Sequence, residues 1–217
     1  MGWRRHNPTS RHADWTSEAA SALALSGFLF LVFAGFTVLA AGPLVSLDAY
    51  FNLQAPPPGW VGFLHVLDRI GQRVVCLPIL GVVAVVCARK TRSWRPLWLS
   101  GIGVLVLNLL VLALKVGLGR GQPGAVNPSF FVGGMAYPSG HTANIVLVYG
   151  LGAYLLGRHR VISRPWRAVA WSVVAVLAAT MVATSLTLNW HWFADLVAGL
   201  LVGAAVLETV VAIDAAA

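Results

Sequence analysis

The chain has 217 residues, of which 58% are hydrophobic and 10% are charged, and its formal net charge at pH 7 is +8. Soluble globular domains carry about 25% charged residues, so this composition excludes a soluble domain, a disordered tail and a disulfide-rich secreted scaffold. The basic residues come in short clusters between apolar stretches. That layout is typical of a membrane protein facing anionic lipid, so we expect no nucleic-acid partner.

Six apolar stretches are long enough, or nearly so, to cross a bilayer. A hydrocarbon core of about 30 Å requires about 20 apolar residues in a helix. Such stretches lie roughly at Ala22–Val45, Ile70–Ala88, Leu97–Leu114, Ser139–Leu156, Val169–Leu188 and Trp192–Ile213. We therefore predict an all-α integral membrane protein with six transmembrane helices. An N-terminal segment at residues 1–21 precedes a single six-span domain at residues 22–217.

Two long connections separate these stretches, and neither is predicted to be helical. Ser46–Arg69 contains three consecutive prolines, and Val116–Pro138 is rich in Gly and Pro. Three ionisable residues of the first connection are interpreted as solvated loop residues, namely Asp48, His65 and Asp68. Of these, Asp68 is near enough in sequence to pair with Arg69 or Arg73.

The distribution of Lys and Arg orients the predicted bundle. Eleven of the 15 lie in the N-terminal segment and in the connections after the second and fourth stretches: Arg4, Arg5, Arg11, Arg89, Lys90, Arg92, Arg95, Arg158, Arg160, Arg164 and Arg167. The other four are Arg69, Arg73, Lys115 and Arg120. Cytoplasmic loops are enriched in positive residues. We therefore predict a plasma-membrane protein with cytoplasmic termini, and with the connections at 46–69, 115–138 and 189–191 on the outer face.

Chemically useful side chains converge on that outer face. Lys115 ends the third stretch, Pro138-Ser139-Gly140-His141 opens the fourth, and His191 and Asp195 open the sixth. Proline suits the first turn of a helix, and the backbone N–H groups of Ser139 and Gly140 at a helix start can bind an anion. His191 and Asp195 are four residues apart and share a helix face, so the carboxylate can hold one imidazole nitrogen and leave the other as a base or nucleophile. Taken singly, these groups are equally compatible with helix caps and a snorkelling lysine.

The order of these groups resembles the type 2 phosphatidic acid phosphatase superfamily, also called lipid phosphate phosphatases. Its second motif, Pro-Ser-Gly-His, is complete at Pro138–His141. Its first motif is Lys, six residues, Arg-Pro. Here Lys115 and Pro123 fit, and Gln122 stands at the arginine position.

The third motif of that superfamily is Ser-Arg, five residues, His, three residues, Asp. The chain reads Thr184-Ser185, five residues, His191, three residues, Asp195, so Ser185 stands at the arginine position. The resemblance covers about 100 residues, from Lys115 to about Leu207, and the six-span layout extends it over the whole chain.

The resemblance implies a fold, a reaction and a set of residue roles. It implies a six-helix bundle that hydrolyses a membrane lipid phosphate or diphosphate, of isoprenyl diphosphate or phosphatidic acid type, without a metal ion or cofactor. His191 would attack phosphorus and form a phosphohistidine, Asp195 would orient His191, and His141 would protonate the leaving oxygen. The residues assigned to substrate binding are Lys115, Arg120, Gln122, Ser139, Gly140 and Ser185.

The two replaced arginines leave three hypotheses open. Removing one donor to a transition state costs about 2.7–4 kcal/mol, so two losses without compensation would slow the reaction about 10⁴-fold or more. Either Arg69, Arg73 or Arg120 compensates, or the protein is a phosphotransferase acting on a less charged substrate, or it is a catalytically weak lipid-phosphate binder. A metal site at His141, His191 and Asp195 is disfavoured by the neighbouring cations. A channel or transporter is disfavoured by the apolar interiors of the spans.

Overall fold

The computed structural model describes residues 8–53, 55–124 and 128–216, with side chains from residue 17 onward, and this part of the chain contains helices and no strands. The α-helices are α1 (Pro8–Ala40), α2 (Val45–Tyr50), α3 (Pro58–Asp68), α4 (Arg73–Thr91), α5 (Arg95–Leu118), α6 (Gly140–Asn144), α7 (Gly150–Arg158), α8 (Arg164–Thr187) and α9 (Phe193–Ala215). The basic residues Arg4 and Arg5, and the side chain of Arg11, lie outside the described residues. The prediction of an all-α membrane protein is confirmed.

Five helical segments in the described part of the chain are long and apolar enough to cross a membrane: Ser17–Ala40, Arg73–Thr91, Arg95–Leu118, Arg164–Thr187 and Phe193–Ala215. In place of the predicted fourth span, α6 continues through a π-helical turn, Ile145–Tyr149, into α7. This turn divides the helical run into short segments. Such wide turns inside helices are frequent at functional sites.

The connection before α4 differs from its prediction. We expected residues 46–69 to be non-helical, and that expectation is wrong because α2 and α3 lie there, followed by a 3₁₀ turn at Arg69–Gly71. Pro58 is the first residue of α3, where the missing N–H of proline costs nothing. In contrast, the described residues between Leu118 and Gly140 form no helix, as predicted.

Helix α9 is the most buried of the long segments and holds the bundle together. It packs along α1 and against α5, α6 and the π-helical turn. Two glycines permit the close approach to α6: a Cβ on Gly199 would overlap Thr142 Oγ1 and the Ser139 carbonyl oxygen, and one on Gly203 would lie 2.6 Å from the Ala143 carbonyl oxygen. This contact fixes the Pro-Ser-Gly-His segment against the start of α9.

The two ends of the bundle differ in chemistry. At one end, Arg95 at the start of α5 pairs with Asp214 near the end of α9, with Nε 2.7 Å from Oδ1, and Lys90 donates to the Arg160 carbonyl oxygen. Lys115 lies near the other end of α5. The basic clusters after the second and fourth predicted spans therefore lie together, at the opposite end from Lys115.

Candidate active site

A cavity of about 830 Å³ lies at the Lys115 end of the bundle. It is formed by the start of α4, the last turns of α5, the loop after α5, the start of α6 and the turn between α8 and α9. Among the residues predicted for the site, it is lined by Lys115, Gln122, Gly140, His141 and His191. The fold thus brings the first, second and third sequence motifs to one space.

His191 and Asp195 form the pair that their spacing predicted. His191 Nδ1 lies 3.4 Å from Asp195 Oδ2, the His191 side chain is 13% exposed, and the Asp195 side chain is fully buried. Asp195 is also fixed by the Trp192 backbone N–H, which donates to Oδ2 at 2.9 Å. A carboxylate in the first turn of a helix is favoured by the helix dipole. With Nδ1 facing Asp195, Nε2 is the imidazole nitrogen left for chemistry.

Arg120 lies behind Asp195 and does not line the cavity. Its guanidinium is fully buried, and Nη1 donates to Asp195 Oδ1 at 2.6 Å. Nη2 donates to Asp48, and Nε donates to the Pro128 carbonyl oxygen at 3.1 Å. Because its three nitrogens are all engaged inside the protein, the expectation that Arg120 binds substrate is corrected: it holds the carboxylate that holds His191.

Asp48 is a buried partner of the site, which corrects its interpretation as a solvated loop residue. The Asp48 side chain is fully buried between Arg120 and the start of α9, and Oδ1 accepts a hydrogen bond from the Ala194 N–H at 2.8 Å. Burial raises the pKa of Asp48, and the hydrogen bonds from Ala194 and Arg120 oppose that shift. Nothing in the sequence indicates this pairing, because Asp48 and Ala194 are 146 positions apart.

Aromatic rings enclose the same guanidinium. The carbon Cζ of Arg120 lies 4.8 Å from the ring centroid of Phe130 and 5.9 Å from those of Tyr137 and Trp192. Such contacts favour a cation that has left water. Burial raises the pKa of Tyr137 to about 12, so this ring stays neutral beside the ion pairs. The base of the site is therefore a buried cluster of ion pairs and aromatic rings.

His141 has a carboxylate partner that the sequence did not reveal. Asp68, the last residue of α3, is 1% exposed, and its Oδ2 lies 3.6 Å from His141 Nε2. Gln72 Nε2 donates to the same oxygen at 3.0 Å. The interpretation of Asp68 as a solvated residue is wrong, and the structure places its carboxylate beside His141 in place of the alternative partners Arg69 and Arg73. His65, by contrast, is exposed and lies beside the ring of Trp190.

Two cations lie at the cavity wall. Lys115 donates from Nζ to the Met135 carbonyl oxygen, and Arg73 lies at the first turn of α4. Of the three arginines considered as compensating groups, Arg73 lines the cavity, whereas Arg69 does not. Gln122, at the arginine position of the first motif, presents a neutral side chain there.

Two serines assigned to substrate binding are buried beside the cavity. Ser139 is the residue before α6, and its N–H donates to the Asp195 carbonyl oxygen at 2.9 Å. We expected this N–H to bind an anion, but it is already engaged. Its buried Oγ has no hydrogen-bond partner within the described chain. Ser185 is 1% exposed, and its Oγ faces Met181 Sδ at 3.7 Å. Ser185 does not line the cavity, which corrects its assignment to substrate binding.

Within residues 17–53, 55–124 and 128–216, no three His, Cys, Asp or Glu side chains are grouped so as to hold a metal ion. His141 and His191 each face their own carboxylate instead, Asp68 and Asp195 respectively. The arrangement is that of two separate imidazole–carboxylate pairs on one cavity. Such pairs suit nucleophilic attack by one imidazole and proton transfer by the other.

Comparisons with known proteins identify the family and the fold. A family model described as the PAP2 superfamily matches residues 96–216, which include all three motifs. The fold is similar to the crystal structure of the first transmembrane PAP2 type phosphatidylglycerolphosphate phosphatase from Bacillus subtilis. The TM-score is 0.75 and the sequence identity 21%, over 87% of this chain and 95% of that chain. No curated protein sequence matches the chain.

Proposed function

The chain belongs to the PAP2 superfamily, and from that premise we propose that it is a membrane-embedded lipid phosphatase working through a phosphohistidine on His191. One observation carries the proposal. His191, His141, Lys115 and Arg73 all line a single cavity, and each histidine faces a buried carboxylate. This set contains a nucleophile, an acid and two cations for a phosphoryl group.

In the first step, Nε2 of His191 attacks phosphorus. The P–N bond forms while the bond from phosphorus to the lipid oxygen breaks, and His141 gives its proton to that oxygen. Asp195 stabilises the positive charge that develops on His191, and Arg120 and the Trp192 N–H hold Asp195 in place. The lipid alcohol, or the lipid phosphate when the substrate is a diphosphate, is released.

In the second step, water attacks phosphorus. It loses a proton to His141 as the P–N bond breaks, and inorganic phosphate leaves with both histidines restored. A phosphotransferase would use an acceptor alcohol in place of water at this step. The two reactions share every residue named so far, so the acceptor alone distinguishes them.

Arg73 supports hydrolysis over a catalytically weak binder. The first-motif arginine is replaced by Gln122 and the third-motif arginine by buried Ser185. Arg73 brings a guanidinium to the same cavity from α4, and together with Lys115 it provides two positive charges for the phosphoryl oxygens. We propose that it substitutes in part for the missing pair, with Gln122 and Gly140 as neutral donors.

The cavity wall supports a lipid as the substrate. Below Lys115, α5 contributes Leu107, Val111 and Leu112 to the lining, and Leu112 is 51% exposed on the outside of the bundle. An acyl or isoprenyl chain can lie on this surface while its phosphate reaches His191. By the distribution of Lys and Arg, we place the cavity at the outer face of the plasma membrane and the termini in the cytoplasm.

The test is phosphate release by detergent-purified protein from phosphatidic acid, phosphatidylglycerol phosphate and an isoprenyl diphosphate, with His191→Ala beside the wild type. We expect release from at least one lipid, a loss of at least about 10³-fold in His191→Ala, and a ³²P label on the wild-type protein that is stable to base and labile to acid. Undiminished release in the variant would remove the nucleophile assignment. A folded wild type that releases no phosphate but moves it to an added alcohol would identify a phosphotransferase.

A further inference from the structure

We propose that Asp68 is a positioning residue for the reaction: its buried carboxylate orients His141 and stabilises its protonated form. The inference rests on the proposed function, because it concerns the proton that His141 gives to the leaving oxygen. Asp68 precedes the residues matched by the family model, and none of the three motifs includes it.

Asp68 is buried with a hydrogen bond to Oδ2, and its Oδ1 has no hydrogen-bond partner within the described chain. It ends α3 and is 1% exposed, and Gln72 Nε2 donates to its Oδ2 at 3.0 Å. The 3₁₀ turn that follows is attached to the π-helical turn, since Tyr149 donates from its hydroxyl to the Ile70 carbonyl oxygen at 2.9 Å. A carboxylate buried in this way persists where a cation offsets the cost of leaving water.

The turn that carries Asp68 also packs directly on His141. A Cβ on Gly71 would lie 2.7 Å from Met181 Cε, 3.1 Å from His141 Cβ and 3.3 Å from His141 Cδ2, so a side chain at this position would crowd His141. Glycine leaves room for the turn beside the ring. Asp68 Oδ2 then faces His141 Nε2 at 3.6 Å, a distance that suits an ion pair better than a hydrogen bond.

The charges around His141 give this carboxylate its significance. Burial lowers the pKa of His141, Asp68 opposes that shift, and positive charge on His191, Lys115 and Arg73 adds to it. Asp68 thus supplies the negative charge that favours the protonated imidazole. Without it, burial and the two cations that bind the phosphoryl group would all disfavour the protonated acid. Asp68 thus allows a phosphate-binding site and a proton donor to coexist.

The decisive variant is Asp68→Asn, which removes the charge and keeps the shape. Purified wild type and variant are compared on the preferred lipid phosphate and on p-nitrophenyl phosphate. The lipid alkoxide must be protonated as it leaves, whereas p-nitrophenolate leaves as an anion. We expect kcat/KM on the lipid, which reports the step that breaks the P–O bond, to fall about 10- to 100-fold, a part of what general acid catalysis contributes. On the aryl phosphate, kcat/KM should fall less than about 3-fold. The comparison uses kcat/KM because hydrolysis of the phosphohistidine uses His141 for both substrates and contributes to kcat alone.

A double variant tests whether Asp68 acts through His141. In a His141→Ala background, adding Asp68→Asn should lower lipid hydrolysis less than about 2-fold further, because the group it positions is gone. Asp214→Asn is the matched control, since Asp214 is a buried, ion-paired carboxylate at the opposite end of the bundle. Its effect should not differ between the two substrates. If Asp68→Asn does not fold, Gln72→Ala loosens the same carboxylate and should give the same substrate-selective loss on a smaller scale.

The outcomes separate this inference from the proposed function. Equal rates in Asp68→Asn and wild type, or an equal loss on both substrates, would overturn the positioning by Asp68 while leaving the phosphatase intact. A wild type that hydrolyses neither substrate, or an undiminished His191→Ala variant, would overturn the proposed function and this inference with it. A selective loss on the lipid, abolished in the His141→Ala background, supports both.

Discussion

The residues that hold the two histidines are buried carboxylates and one arginine, none of which touches the cavity. Arg120 lies between Asp48 and Asp195 with no exposed surface on any of the three side chains. Placing ions away from water costs several kcal/mol each, and the cost is offset only when every donor and acceptor is matched. Here the guanidinium fork meets two carboxylates and a backbone carbonyl, so the orientation of Asp195 is fixed by charge as well as by packing.

Replacing Arg120 by lysine tests whether the guanidinium group is needed to orient Asp195. A lysine keeps the charge but cannot bind two carboxylates and a carbonyl oxygen in one plane, so one buried carboxylate loses its partner. Breaking a buried ion pair costs about 3–5 kcal/mol. We therefore expect Arg120→Lys to lower the unfolding temperature in detergent and to lower kcat about 10-fold or more through a misplaced Asp195.

Arg95→Lys is the matched control for Arg120→Lys. Arg95 also binds a buried aspartate and backbone carbonyls, but at the far end of the bundle and with its side chain 33% exposed. It should change kcat less than about 2-fold. An Arg120→Lys protein with wild-type kcat would show that Arg120 has no influence on the nucleophile.

At the scale of helices, the apolar stretches in the sequence predicted the long helices but not the short ones. A helix of about 20 apolar residues is recognisable from its length alone. Helices α2 and α3 are short, lie among prolines, and owe their place to contacts with distant residues such as Ala194 and His141. The same reason explains which residues of the site could be predicted from the sequence. The motifs predicted His191, His141, Asp195 and Lys115, whereas Asp48 and Asp68 have no local signal because their partners lie far along the chain.

The contact between α6 and α9 makes a prediction at this scale. Gly199 faces Thr142 and the Ser139 carbonyl oxygen so closely that a methyl group has no room, and part of the obstruction is backbone. Gly199→Ala should therefore force the two helices apart. Overpacking of this kind costs typically about 1–3 kcal/mol, and more where backbone must move. We expect a lower yield of purified protein and a lower unfolding temperature. The activity per folded molecule should also fall, because Ser139 and Asp195 share a backbone hydrogen bond that links the two helices at the site.

Gly152→Ala serves as the control for that helix contact. Gly152 lies in the neighbouring α7, and a Cβ there meets nothing within 4 Å. Alanine is also the better helix former, so stability should be equal or slightly higher. If Gly199→Ala behaved like Gly152→Ala, the tight packing of α6 on α9 would not be what positions the site.

For the whole molecule, the separation of the two ends determines how the protein faces the membrane. Basic residues from two connections gather at the Arg95 end, and the cavity opens at the Lys115 end. We proposed from the bias of Lys and Arg toward cytoplasmic loops that the cavity lies outside. A single exposed cysteine at each end tests this orientation. The native Cys76 and Cys87 are both fully buried, so they provide a low background for thiol reagents.

Gly124 is the site for the cysteine at the cavity end. Gly121 is less suitable because it is buried and its carbonyl oxygen accepts a hydrogen bond from Trp192 Nε1 at 2.8 Å. Gly124 is exposed, and a Cβ there meets nothing within 4 Å. In intact cells, a membrane-impermeant maleimide should label Gly124→Cys and should label Ser163→Cys, at the exposed start of α8, only after the membrane is opened. The reverse pattern would place the cavity in the cytoplasm, and the substrate would then have to come from the inner leaflet.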